Sequence, residues 1–225
     1  WIFKNADFVF GLSKQAKLEI KSLGTPAEKI DNFTYWVDLE NFRRVTNAKA
    51  KLGWEGEFVV LFVGRLVPEK GITKLLDSVS SWDKRIKLKI CGTGPLEKIV
   101  RNAQSTINNV EYLGSLDQGN LPVYYSGSDI LIVPSVSEEG FGRVILEALA
   151  CGTPVIGANR GAIPEAIDES VGKLIDITPQ NIKDTVEYFY NHQRELKKLS
   201  SNCRNFAERR YAEKNVEKII RTYTK

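Results

Sequence analysis

The sequence predicts an α/β fold, a parallel sheet covered by helices on both faces. Three observations carry that expectation. Five short runs are apolar at most positions, four of them are followed directly by glycine, and the segments between them have helical patterns. Strands with no polar face belong to sheets buried on both sides, and strand, glycine and helix in repetition is the βαβ arrangement. Ligands of such sheets bind beyond the carboxyl ends of the strands, so the chemistry is expected in the post-strand segments.

Taken in order, residues 6–12 read as a strand, with Ser13 as the N-cap of a helix that runs to about Leu23. Residues 29–35 suggest another strand. Phe58–Val63, ending at Gly64, is the strongest strand of the chain. Ile86–Cys91 before Gly92, 110–113 before Gly114, Ile130–Val133 before Pro134 and 154–156 before Gly157 complete the set. Helices are expected over about 72–82, 95–106, 118–127 and 142–151, and from Pro179 onward the chain is strongly helical. No repeat, low-complexity tract or long linker interrupts it. One domain with an N-terminal extension is the economical division.

Composition bounds the function. The 225 residues are 42% hydrophobic and 27% charged, enough for a full core. No run approaches the ~20 apolar residues of a spanning helix, and no signal-peptide pattern opens the chain. The net charge of +4 suits anionic ligands or anionic lipid without establishing either. Cys91, Cys151 and Cys203 show no paired spacing, which argues for a reducing compartment and against a disulfide or zinc framework. Methionine is absent even at position 1, so the chain is expected to be a piece of a longer polypeptide.

The most informative stretch is Glu138-Glu139-Gly140-Phe141-Gly142-Arg143-Val144-Ile145-Leu146-Glu147. Glu139 and Glu147 lie eight positions apart around a Gly-Phe-Gly turn that opens a helix, a little over two helical turns. The glycines let backbone approach a ligand, and the helix start offers N–H groups and positive dipole to an anion. A carboxylate beside an anion site needs a reason, and sugar hydroxyls supply one. The bland reading is a helix-surface Glu147 and a Glu139 that favours the dipole. Directly after the strongest strand comes Gly64-Arg65-Leu66-Val67-Pro68-Glu69-Lys70-Gly71. Arg65 offers a fork donor and Lys70 a point charge, together able to neutralise a diphosphate, although most loop cations are simply solvated.

These segments resemble retaining glycosyltransferases of the family 4 (group 1) type, whose signature is Glu-x7-Glu. Further matches follow in the family's order: Gly92-Thr93-Gly94-Pro95, Val110 to Leu116, Ser128 to Ser135, and Gly161 to Glu165. The resemblance covers roughly the whole chain. It implies a Rossmann-like domain, the C-terminal, nucleotide-sugar-binding half of a two-domain GT-B fold. Residues 46–225 would form that donor domain, and residues 1–45 the last strand, helix and linker of an absent N-terminal domain. It further implies a hexosyltransferase-type enzyme moving a sugar from a UDP- or GDP-sugar to an acceptor, held by the absent domain, that the sequence does not identify. The chain alone would bind donor and transfer feebly or not at all.

By the same resemblance Arg65 and Lys70 would stabilise the leaving phosphate, and Glu139 would hold the transferred sugar. Gly64, Gly92, Leu116, Phe141 and Gly142 would contact the donor, with the backbone N–H groups of Arg143 and Val144 on the phosphate and Glu147 on the ribose. No metal and no cofactor is implied, and no Asp-x-Asp motif occurs. One departure stands out: Tyr35-Trp36-Val37-Asp38 lacks the glycine usual before Val-Asp, and two readings of Trp36 stay open, that it narrows the cleft or that it replaces a backbone contact. The expected location is cytoplasmic, with peripheral contact at the inner membrane face left open. Nucleic acid is discounted because aromatics are not interleaved with basic residues. His192, Cys151 and the pairs Lys197-Lys198 and Arg209-Arg210 read as inert or solvated. Two alternatives stay open: a nucleotide-sugar-binding module without transfer activity, and a GT-B enzyme of other chemistry such as a phosphorylase, synthase or epimerase.

Overall fold

The computed structural model describes residues 2–138 and 140–223, Tyr223 by its backbone alone. A short helix α1 (Ile2–Asn5) leads into β1 (Val9–Gly11), helix α2 (Lys14–Ser22) and β2 (Ile30–Asn32). Ser13 caps α2, its hydroxyl accepting from the Ala16 N–H at 3.0 Å, as its position before the helical pattern predicts. The expected strands at 6–12 and 29–35 shrink to three residues each. They pair in parallel with one another as a separate two-stranded sheet, too short a ladder for the longer runs to join.

The main sheet follows α3 (Ala48–Leu52). In chain order come β3 (Phe58–Val63), α4 (Ile72–Val79), β4 (Ile86–Cys91), α5 (Glu97–Thr106), β5 (Val110–Gly114), α6 (Leu121–Gly127), β6 (Ile130–Val133), α7 (Arg143–Ala150), β7 (Val155–Ala158), α8 (Ile163–Ala166) and β8 (Gly172–Ile175). The helices α9 (Pro179–Asn191), α10 (Gln193–Arg210) and α11 (Glu217–Tyr223) close the chain. The six strands are all parallel in the order β5-β4-β3-β6-β7-β8, the order of a doubly wound Rossmann-like sheet. The order reverses between β3 and β6, so the crevice at their carboxyl ends is the topological switch point.

Both sheet faces are apolar at β3 and β6, which is why those two runs show no alternation. Phe58, Val60 and Phe62 of β3 join Ile130 and Ile132 of β6 beneath α4 and α9. Leu61, Leu131 and Val133 face the other way, into a core shared with α7 and α10. The strand β8 had no counterpart in the sequence reading. It is a four-residue edge strand carrying the exposed Lys173, too short and too polar to register as a run. One charge is buried in the sheet: Lys89 of β4 lies 2.8 Å from Glu57 and 2.5 Å from Glu111, with the Trp54 ring 5.0 Å away. Among the described residues no helix is long and apolar enough to cross a membrane.

Candidate functional site

Three glycines lace the carboxyl rim of the sheet together. A Cβ on Gly71 would stand 1.8 Å from the Pro134 carbonyl oxygen, and one on Gly92 1.8 Å from that of Gly64. At Gly94 it would meet the Leu66 backbone at 2.6 Å. Only a residue without a Cβ permits such approach, and all three have positive φ. Hydrogen bonds complete the lacing. Gly64 N–H donates to Cys91 O at 3.0 Å, Leu66 N–H to Thr93 O at 2.8 Å, and Gly92 N–H to Gly114 O at 2.8 Å. The Val136 N–H donates to Glu69 O at 2.9 Å, tying the loop after β3 to the loop after β6.

On this platform the β3 loop carries Arg65, exposed and without a side-chain partner among the described residues, and the half-buried Lys70 in a single 3-10 turn, Pro68–Lys70. Across from it, Gly142 with φ 65° starts α7. The first N–H groups of a helix have no acceptor inside it, so those of Arg143 and Val144 are available at the site. Phe141, before the turn, is a packing anchor: its ring is buried edge-on against Tyr211 at 6.0 Å.

Glu147 is the unusual group. One turn into α7 it is 7% exposed, so it is no surface glutamate. The hydroxyl of Tyr125, on α6 and wholly buried, donates to its Oε2 at 2.8 Å. Burial pushes the Glu147 carboxyl above its ordinary range, while the Tyr125 hydrogen bond and the charge of Arg143 oppose the rise. Glu147 and Arg143 line a cavity of about 290 Å³ whose other wall is Tyr35, Trp36, Val37 and Asp38, with Phe42 and Gln118. Trp36, the residue that stands where the family pattern has glycine, is on that wall. Tyr125 was not anticipated.

That outer wall is held from the far end of the chain. Val37 N–H donates to Tyr211 O at 2.9 Å, and Asn215 Nδ2 to Tyr35 O at 3.2 Å. Arg204 of α10 donates to the carbonyls of Leu39, Phe42 and Ala150, clamping the turn after Asp38 onto the end of α7. Of the other expected residues, Gly64 and Gly92 sit in the laced rim. Leu116 lies beyond β5 with its backbone at the Cys91 thiol. Glu139 lies outside the described residues. His192 is exposed, stacked on Tyr188, and the buried Cys151 thiol is pushed up to about 12 by burial, as expected of an inert group.

Residues 45–221 match the family model described as glycosyl transferases group 1. An uncharacterized glycosyltransferase of Methanocaldococcus jannaschii is 31% identical over 184 residues, covering 74% of this chain and 46% of that protein. The GDP-mannose-dependent alpha-(1-6)-phosphatidylinositol monomannoside mannosyltransferase of Mycolicibacterium smegmatis is 29% identical, covering 79% and 51%. The fold matches that of Anabaena HepE in complex with UDP-glucose at a TM-score of 0.89 and 23% identity, over 99% of this chain and 65% of that one. The chain thus spans about half the length of the curated relatives it matches. With the matched segment running from before α3 through most of α11, the chain belongs to the group 1 glycosyl transferases.

Proposed function

We propose that this chain is the donor-binding part of a retaining, hexosyltransferase-type glycosyltransferase that uses a nucleotide-diphosphate sugar. The observation that carries the reading is Glu147, a carboxylate buried beside the first turn of a helix at the switch point of the sheet. A helix N-terminus alone would suit any anion. A carboxylate acceptor beside it suits a ligand that is anionic at one end and rich in hydroxyls at the other. Glu147 takes ribose hydroxyls, and the α7 N–H groups with Arg65 and Lys70 take the diphosphate.

When the bond between the anomeric carbon and the diphosphate oxygen breaks, its electron pair stays on phosphate and the sugar becomes oxocarbenium-like. Arg65 and Lys70 stabilise that developing charge, and they do so without a divalent metal ion. The acceptor hydroxyl then attacks the same sugar face and passes its proton to the departing phosphate oxygen. Glu139 holds sugar hydroxyls as the charge develops. Acceptor recognition belongs to the part of the longer relatives that this chain does not span, with residues 1–45 associated with that part. HepE was crystallised with UDP-glucose and the mycobacterial relative is named for GDP-mannose, so both bases are candidates for the donor. Three buried, free cysteines fit a cytoplasmic setting.

Calorimetric titration of the chain with UDP, GDP and the bare nucleosides tests the reading. Binding of one diphosphate is expected, with Arg65→Ala weakening it about ten-fold or more while leaving nucleoside binding nearly unchanged. Equal losses for diphosphate and nucleoside would place the phosphates elsewhere.

A further inference from the structure

A second cavity, of about 370 Å³, opens at the opposite end of the sheet. Its walls come from the amino ends of the strands: the segment before β3 with Arg44 and Lys49, the α6–β6 turn with Asp129, and the first turns of α10 with Lys197 and Ser200. None of these residues belongs to the candidate donor site.

The charges in this cleft do not cancel. Asp129 is its only acid, and its Oδ2 is already committed, 2.6 Å from Lys49 Nζ and accepting from the Val59 N–H at 2.7 Å. Arg44 and Lys197 remain as two cations with no carboxylate partner among the described residues. Nor is Arg44 a loose surface side chain. Its Nη1 donates to Ser200 Oγ at 3.2 Å, and that hydroxyl donates in turn to Gly152 O at 2.7 Å. A Cβ on Gly152, whose φ is +83°, would stand 3.2 Å from Nη1, so the glycine makes the room in which the guanidinium lies. Lys197 and Ser200 are three positions apart on α10 and so share one face, and both line the cleft with Arg44. A fork donor held in place and a point charge lining the same recess, which is of ligand size, make a receptor for one compact oxyanion.

We infer that this cleft is a second anion site, independent of the donor site, that takes a phosphomonoester group. The probe is inorganic phosphate, titrated calorimetrically at constant ionic strength into the Arg65→Ala/Lys70→Ala chain, which lacks the two donor-site cations, with saturating UDP or GDP as a second arm that occupies the α7 N–H groups in the unaltered chain. One saturable event is expected. Lys197→Glu, which breaks no contact of the fold, should weaken it about ten-fold or more, and Arg44→Gln likewise. Vesicles with and without phosphatidic acid separate the sources. A Lys197-dependent preference for the phosphatidic acid vesicles over free phosphate assigns the group to a lipid head, and the reverse preference to a soluble ester. Absence of binding to both probes, or binding that survives Lys197→Glu and Arg44→Gln undiminished, overturns the inference. Because UDP and GDP binding to the unaltered chain is measured separately, failure here leaves the donor site untouched, and failure there leaves this cleft.

Discussion

Replacing Tyr125 by Phe removes one atom from a fully buried position, and the consequence is calculable in sign and approximate size. The lost hydroxyl donates at 2.8 Å to a carboxylate that is itself only 7% exposed, so water cannot easily take its place. A hydrogen bond to a charged group is worth about 1.5–3 kcal/mol, against about 0.5–1.5 kcal/mol for a neutral pair. The folded-state pKa of Glu147 lies above its ordinary 4.5, burial being the largest cause. The folded state therefore holds the proton more tightly than the unfolded one, and this group's contribution to stability falls as pH rises from the ordinary value through the folded value. Tyr125→Phe removes the main opposing influence, raises the folded value further and so carries that fall on to higher pH. Its cost should be small where Glu147 is protonated and reach about 1.5–3 kcal/mol where it is ionised. Urea unfolding of the original chain and the variant from mildly acidic to neutral pH measures this directly. Adding Glu147→Gln closes a double-mutant cycle, in which the Tyr125→Phe cost at neutral pH should shrink toward the neutral-pair value. A cost that is independent of pH, or unchanged in the Glu147→Gln background, would refute the claim that the hydroxyl serves the carboxylate.

Two further outcomes follow from the rim and the core. Gly71→Ala forces a Cβ into the Pro134 carbonyl at a φ of +70°. It should cost more than about 2 kcal/mol in urea unfolding and loosen the β3 loop from the β6 loop, with nucleotide binding falling in parallel; a change within about 0.5 kcal/mol would mean the loops are not so joined. The thiols of Cys151 and Cys203 are pushed up to about 12 by burial, and that of Cys91 is also raised by burial. All three should resist a thiol reagent in the folded chain at pH 8 and react at once in denaturant; rapid labelling without denaturant would show that the core opens readily.

The parts of the fold that were legible are those where one physical signal had no rival. Phe58–Val63 and Ile130–Val133 are strands over the stretches their apolar runs mark, because a sheet buried on both faces leaves no polar side to blur the ends, and Ile86–Cys91 keeps its marked bounds although Lys87 and Lys89 interrupt it. Helix α4 stops at Val79, three residues short of expectation, because Trp82 continues the apolar pattern as a buried side chain in the turn. The site was legible in outline: Arg65, Gly142, Arg143 and Glu147 all stand at the carboxyl rim. Tyr125 was not. It lies 22 positions from Glu147, and a tyrosine between Leu121 and Gly127 reads as ordinary core until the two helices are packed together. The Phe141 ring is buried against Tyr211, a contact 70 positions away in sequence that becomes visible only in the folded chain.

The wall over Glu147 is closed by groups 180 and 186 positions apart in the chain, Asn215 on the Tyr35 carbonyl and Lys218 on that of Asn32. Contacts of such separation bear the largest loop-closure entropy, so they form late, after the sheet has already set. The sheet can be complete while its cavity still lacks an outer side, and docking of the segment that carries Asn215 and Lys218 finishes the chamber. The same closure links occupancy to the integrity of the two segments it joins. Whatever fills the finished cavity binds only the docked arrangement and favours it by mass action. A protease working on α11 or on the segment around Trp36 would then read out ligand binding as protection, at sites that include residues the ligand never touches.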